Sequence, residues 1–156
     1  MSKTIFDQVA EINTLFGNPK GDYKNISVEK LTSQCKNILD EYTELLHSIQ
    51  RGDLEEIRDA LCDIQVFVQG AQHMMGVDGD LDMIAVIDGL KTRFIKDEND
   101  LMATMSYHKS RGIHKFYFEG EYPMKIMKSA EDQPDAPKGK FLKSVSYSKP
   151  IFPKIS

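Results

Sequence analysis

Long apolar runs are missing from this sequence. No stretch approaches the roughly 20 residues that a membrane-spanning helix needs. The N-terminus passes from Met1-Ser2-Lys3 straight into an amphipathic pattern, without the apolar segment of a secretory signal. The expectation is a cytoplasmic protein with no membrane partner. Cysteine is scarce: Cys35 and Cys62 are the only two, and they have no metal-binding or redox spacing. Both fall on apolar-periodic stretches, so they are expected as buried thiols in a reducing compartment. There is no phosphate-cradling glycine loop, no dinucleotide fingerprint and no local signature of a Ser or Cys nucleophile. Glu44 and His47 form a Glu-x-x-His pair, but a di-iron bundle needs a second copy on another helix. His73, His108 and His114 have no Glu three residues before them.

What is present is an uneven distribution of charge. The net charge is -4 over 156 residues. Residues 1–100 carry 10 Lys and Arg against 19 Asp and Glu, whereas residues 101–156 carry 10 against 5. An acidic body suits a cation and a basic tail suits a polyanion, while a solvated surface explains the same composition without either. The acidic body argues against nucleic acid as a partner.

The spacing of apolar residues predicts an all-α, antiparallel helical bundle. Ile5, Val9, Ile12 and Phe16 make one stripe on a helix over residues 4–15. Ser27 is an N-cap for a second helix that ends before Gly52. Its seam is Val28, Leu31, Cys35, Ile38, Tyr42, Leu45 and Ile49. Asp53 caps a third helix at once, with Glu56 as its capping-box partner, and Gly76 ends it. Only Gly52 and Asp53 separate the two long helices, so they must be antiparallel neighbours. A fourth helix is expected over residues 81–95, capped by Asp80, and a shorter one over 97–108. Lys115-Phe116-Tyr117-Phe118 and Tyr122-Pro123-Met124-Lys125-Ile126-Met127 predict a β-hairpin around Glu119-Gly120. Residues 129–141 read as an extended loop. Residues 1–111 are thus expected as a catalytic helical bundle, with residues 112–156 as a hairpin and basic tail on the same domain.

The chemistry-bearing pattern is a set of carboxylates. Glu41 and Glu44 are i and i+3 on one helix face, and Asp59 and Asp63 are i and i+4 on the next helix. An antiparallel hairpin centred on Gly52 sets Glu41 opposite Asp63 and Glu44 opposite Ala60. Glu56 falls opposite Ser48, about a turn away. Four acids on one patch repel one another unless a hard cation sits among them, and Mg²⁺ favours oxygen ligands shared with substrate phosphates. Mn²⁺ is a second occupant of the same chemistry. Solvated surface acids are the competing reading. Glu56 ranks last as a ligand because its cap role already explains it. Glu41, Glu44 and Asp63 are the candidate catalytic set, any one of which could orient the attacking water.

The run Asp40-Glu41-Tyr42-Thr43-Glu44-Leu45-Leu46, followed by Glu55-Glu56-Ile57-Arg58-Asp59-Ala60-Leu61-Cys62-Asp63-Ile64, resembles the Glu-x-x-Glu and Glu-x-x-Asp helices of MazG-like and phosphoribosyl-ATP pyrophosphohydrolase-like enzymes. Phe6-Asp7-Gln8-Val9 with Leu15-Phe16-Gly17-Asn18-Pro19 resembles their first helix. Val68-Gln69-Gly70-Ala71 and the tail around Lys138-Gly139-Lys140-Phe141-Leu142-Lys143-Ser144 are similar to bacterial and phage members. The resemblance implies a homo-oligomer, dimer or tetramer, with active sites built partly at subunit contacts. It also implies Mg²⁺-dependent cleavage of a nucleoside triphosphate to monophosphate and pyrophosphate, in control of the nucleotide pool. Two departures stand out. Ala60 occupies a position where many members carry Glu, and reading the motif as Glu56-x-x-Asp59 restores the letters at the expense of the register. Leu90 stands where Asn is frequent on the fourth helix, and Arg93 near Lys91 takes the place of a substrate-contacting Lys. Lys91, Arg93, Lys140 and Lys143 are the candidate phosphate contacts. The alternatives are a phosphoribosyl-ATP pyrophosphohydrolase, or a helical binding module that keeps the bundle without turnover.

Overall fold

The computed structural model describes residues 2–155. Among them are five α-helices and a three-stranded antiparallel sheet near the C-terminal end. The fold is therefore the expected helical one with a C-terminal hairpin, and the hairpin gains a third strand. None of the helices is long and apolar enough to cross a membrane. The chain forms two compact units. One runs to Asp82 and takes in the residues after Pro153, and the other is Met83–Pro153.

The first unit is built on three helices: α1 (Ile5–Leu15), α2 (Val28–Arg51) and α3 (Leu54–Met75). Helix α1 starts at a full capping box: the Asp7 N–H donates to the Thr4 hydroxyl at 3.1 Å, and the Thr4 N–H donates to the Asp7 carboxylate at 3.0 Å. Its buried face is Phe6, Val9 and Asn13, whereas Ile5, Ile12 and Phe16 are exposed. The expected stripe is thus rotated, with Val9 common to both. Two close approaches explain the rotation. A Cβ at Gly79 would sit 2.7 Å from the Phe6 ring, and one at Gly70 would sit 3.1 Å from the Asn13 side chain. Glycine at each position lets α1 bury a face that includes a polar residue, whose amide donates to the Val9 carbonyl at 3.0 Å.

The α2–α3 joint is as short as expected. Gly52 adopts a left-handed φ of 70°, and the Asp53 N–H closes α2 on the Ser48 carbonyl at 3.0 Å, the pattern of a Schellman end. The Asp53 carboxylate then accepts from the Glu56 N–H at 3.3 Å and opens α3. The reciprocal half of the capping box does not form, because the Asp53 N–H is already spent on Ser48. Ala60, Ser48 and Met74 are buried along these helices, but much of their apolar surface is not: Leu39 is 61% exposed, and Tyr42, Ile49, Leu61, Val66 and Val68 are exposed too. Cys35 and Cys62 are likewise exposed. The expectation of buried thiols fails because the three helices of one unit cover only part of the apolar surface of α2 and α3.

Helix α4 (Gly79–Lys91) begins two residues earlier than expected and ends four residues sooner. Asp78, not Asp80, caps it, accepting from the Asp80 and Leu81 N–H groups at 3.0 and 3.1 Å. At the other end the Thr92 hydroxyl turns back to the Gly89 carbonyl at 2.7 Å and accepts from the Ser148 N–H at 3.0 Å. That exchange takes Arg93 out of the helix.

The second unit continues with α5 (Glu98–Ser110), capped by Asp97, then β1 (Phe116–Glu119), β2 (Ile126–Ser129) and β3 (Phe141–Leu142). β1 pairs with β2 in the register Phe116 with Ser129, and β2 pairs with β3 through Met127 with Leu142. The core is Ile95, Ile113, Met127, Ala136 and Leu142, backed by Leu101 and Met105 of α5. Ala136 is 0% exposed and Leu142 3%. The segment expected as an extended basic loop and tail therefore supplies core side chains as well as charge.

Candidate active site

The acids of the first unit are placed by two regular helices. Glu41 and Glu44 stand on α2, and Asp59 and Asp63 stand on α3. Glu41 and Asp63 are half-buried, while Glu44 and Asp59 are exposed. Burial pushes the Glu41 carboxyl above its usual range. The charges of Asp63, Glu44, Asp40 and Asp59, in that order of influence, push it further the same way. Four carboxylates thus act on one, and Asp63 acts most, as expected of residues facing each other across the hairpin. None of the four expected acids forms an ion pair among the described residues.

The cluster is electrostatic rather than a closed cage. Among the described residues, no three His, Cys, Asp or Glu side chains are gathered closely enough to grip a bare ion. Hard oxygen donors carrying uncompensated negative charge nonetheless match Mg²⁺, which keeps much of its water and takes only one or two direct carboxylates from a protein. Asp40, which the sequence reading did not single out, belongs to the same field. Its signal was available, since it directly precedes Glu41. Glu56 is exposed and is not among the charges acting on Glu41. With the capping box only half formed, its carboxylate is not held at the joint.

The four basic candidates all lie beyond Asp82. Lys91 is tied up in a surface ion pair with Asp88 at 3.0 Å, with both side chains largely exposed. Such a pair is worth little and opens readily. Arg93 lies over the Tyr147 ring, 5.3 Å from its centre, and its Nε is buried without a partner. Lys143 lies 4.4 Å from the centre of the same ring. Lys140 donates to the Asp135 carbonyl. The structure therefore brings Arg93 and Lys143 together on one tyrosine and leaves Lys91 apart from that pairing.

The segment that carries Lys143 is anchored by a buried carboxylate. Asp100, 5% exposed, accepts from the Ser144 hydroxyl at 2.6 Å, the Ser146 hydroxyl at 3.1 Å and the Lys96 N–H at 3.1 Å. Burial alone would raise its pKa. The hydrogen bonds from Ser144, Lys96, Ser146 and Thr104 outweigh burial and hold the carboxyl below its usual range. His108 adds a bond from Nε2 to the Lys143 carbonyl at 3.0 Å. The carbonyl can only accept, so Nε2 carries the proton.

Comparison with known sequences follows this geometry. The model of the family described as phosphoribosyl-ATP pyrophosphohydrolase, in the MazG-like superfamily, matches residues 9–94, more than half of the chain. The match spans all four acids together with Lys91 and Arg93, and stops before Lys140 and Lys143. No curated protein gives a match.

Proposed function

The chain belongs to the phosphoribosyl-ATP pyrophosphohydrolase family, whose enzymes are hydrolases of phosphorus anhydrides, and from that footing we propose that it is a Mg²⁺-dependent nucleoside triphosphate pyrophosphohydrolase. The observation that carries the reading is the field around Glu41: on two helices joined by one tight hairpin, the charges of Asp63, Glu44, Asp40 and Asp59 all act on its carboxyl, and none of these acids is in an ion pair among the described residues. Glu41, Glu44 and Asp63 are the proposed principal ligands, with Asp59 beside them and Glu56 outside. A divalent cation held there would screen their mutual repulsion, polarise a phosphoryl oxygen and make a bound water more acidic.

The chain's own residues divide the remaining work. One carboxylate of this set is available to orient the attacking water in place of holding the cation. Lys91 and Arg93 are the proposed phosphate contacts within the family match, and Lys140 and Lys143 lie beyond it. Cleavage between the α and β phosphates would release monophosphate and pyrophosphate. Exposed apolar residues on α2 and α3 support a homo-oligomer, since a second copy would cover them.

The description of the matching family favours one second reading, hydrolysis of phosphoribosyl-ATP. A pyrophosphate-release screen over the common ribo- and deoxyribonucleoside triphosphates and phosphoribosyl-ATP, with Mg²⁺ and with chelator, tests both. Pyrophosphate from a nucleoside triphosphate, lost in chelator, is the expected result. Turnover of phosphoribosyl-ATP alone selects the second reading. Orthophosphate with a diphosphate product overturns both.

A further inference from the structure

Residues beyond the family match carry a cleft of their own. It lies wholly within the second unit and has a volume of about 690 Å³, within the range of small-molecule sites. One wall is the last turn of α5, with Tyr107 and Arg111. The other is β3 and the chain after it, with Lys140, Phe141, Lys143 and Tyr147. Three of these six side chains are cations, and the one carboxylate lining the cleft is that of Asp135. Among the described residues, none of the three cations is in a salt bridge.

Two of the cations are held by aromatic rings, while Lys140 donates to the Asp135 carbonyl. Arg111 lies 5.7 Å from the centre of the Tyr107 ring and donates to its hydroxyl at 3.4 Å. Lys143 lies over Tyr147, which Arg93 also covers. Cation–π contact orients a positive charge without neutralising it. The wall is rigid as well, because Asp100, Thr104 and His108 fix Ser144, Val145 and Lys143 by hydrogen bonds of 2.6, 3.1 and 3.0 Å. Fixed, uncompensated positive charge in a small cleft fits an anion. Tyr107, 47% exposed, stands beside it, with the His108 ring edge-on to it at 5.1 Å.

We infer that this cleft binds a nucleotide, with its phosphate against Arg111 and Lys143 and its base against Tyr107. The inference takes from the proposed hydrolysis only the idea that the ligand is a nucleotide. It uses no acid of α2 or α3 and needs no metal. Phosphate charge complements the two cations, and base–aromatic stacking tolerates any base.

Binding of the four common nucleoside monophosphates, ribose 5-phosphate and inorganic phosphate to the full chain is measured by calorimetry in chelator. Chelator removes any contact bridged by a divalent cation. At least one monophosphate is expected to bind with a Kd tighter than roughly 1 mM, and to bind equally well to Glu41→Gln. Arg111→Ala and Lys143→Ala should each weaken it by about 10-fold or more. Both side chains are exposed, so neither change touches the core. Ribose 5-phosphate should bind more weakly than the monophosphate, and Tyr107→Ala should erase that difference. Absence of monophosphate binding in chelator overturns the inference. So does binding indifferent to Arg111 and Lys143, or ribose 5-phosphate binding as tightly as the nucleotide. Pyrophosphate release with Mg²⁺, measured in parallel on the unaltered protein, fails or succeeds independently and reports on the hydrolysis alone.

Discussion

Asp63, on α3, raises the pKa of Glu41, on α2, more than any other charge does, Glu44 on the same helix included; only burial acts more strongly. A residue 22 positions away in sequence thus outweighs one three positions away. That ordering is what an antiparallel pair of helices joined by two residues produces.

Removing one member of the pair should separate stability from activity. Glu41→Gln and Asp63→Asn keep the side-chain shape and delete one of several repelling charges. Each should leave the melting temperature in chelator unchanged or raised. Each should lower divalent-dependent pyrophosphate release by more than the ~10–100-fold typical of outer-shell changes. Thermal melts beside a turnover assay check both halves, and a destabilised but active variant would contradict the arrangement.

Glu56→Gln is the matching control. The carboxylate is exposed, and the N–H that caps against Asp53 belongs to the backbone, so the substitution retains it. Activity should stay within about 3-fold of the parent and stability within about 0.5 kcal/mol. Loss of turnover here, with activity kept in Asp63→Asn, would move the metal a turn toward the joint and restore the Glu56-x-x-Asp59 reading.

Light scattering should find at least a dimer at micromolar concentration. Leu39, Leu46 and Val66 are all exposed on the two long helices, and large apolar side chains exposed in such number favour a partner surface. Replacing Leu39 and Val66 together by Glu should shift the population toward monomer. A monomeric parent would remove the reason for the change.

Charge and core in the C-terminal segment should come apart on mutation. Lys140→Ala with Lys143→Ala should leave the melt nearly unchanged and weaken nucleoside monophosphate binding in chelator. Leu142→Ala should cost about 2–4 kcal/mol through the cavity it leaves. Truncation after Lys128 should unfold the second unit, since it removes β3, Ala136 and Ser144. Hydrogen exchange resolved by segment would read this directly.

Acid should weaken the second unit through Asp100. Its carboxyl pKa is lowered in the folded protein, so the stabilisation it brings is complete above the unfolded value of about 4 and is lost as pH falls through the folded one. Asp100→Asn should cost about 1–3 kcal/mol at neutral pH, by setting an amide N–H against the Lys96 N–H or loosening the serine bonds. Urea titrations should show the gap between parent and variant closing below about pH 4. A gap that stays constant to pH 2 would mean the carboxylate is not the source.

The parts legible from sequence were those written locally. Ser27, Gly52, Asp53 and Gly76 set the ends of α2 and α3, because caps depend on a few adjacent backbone groups. Those ends fixed which acids could face one another. Asp78 and Asp80 are both plausible caps in Asp78-Gly79-Asp80, and only the folded turn chooses between them. The α1 stripe turned because Gly70 and Gly79 decide which face can approach, a fact about neighbours rather than about α1. β3 was invisible for the same reason: its two residues are a strand only by pairing with β2. The cleft beside Tyr107 had no pattern to find, since its walls come from segments about 30 residues apart whose meeting depends on Asp100.

The Gly52–Asp53 joint makes length itself heritable information here. Asp53 ends one helix with its N–H and begins the next with its carboxylate, leaving no slack between them. One inserted codon would displace α3 by about 1.5 Å and turn it through about 100°, sending Asp63 away from Glu41 while every letter of both motifs survived. Among descendants of this gene, insertions and deletions should therefore accumulate in the exposed chain at residues 22–25 and spare this joint, however freely the residues around it are substituted.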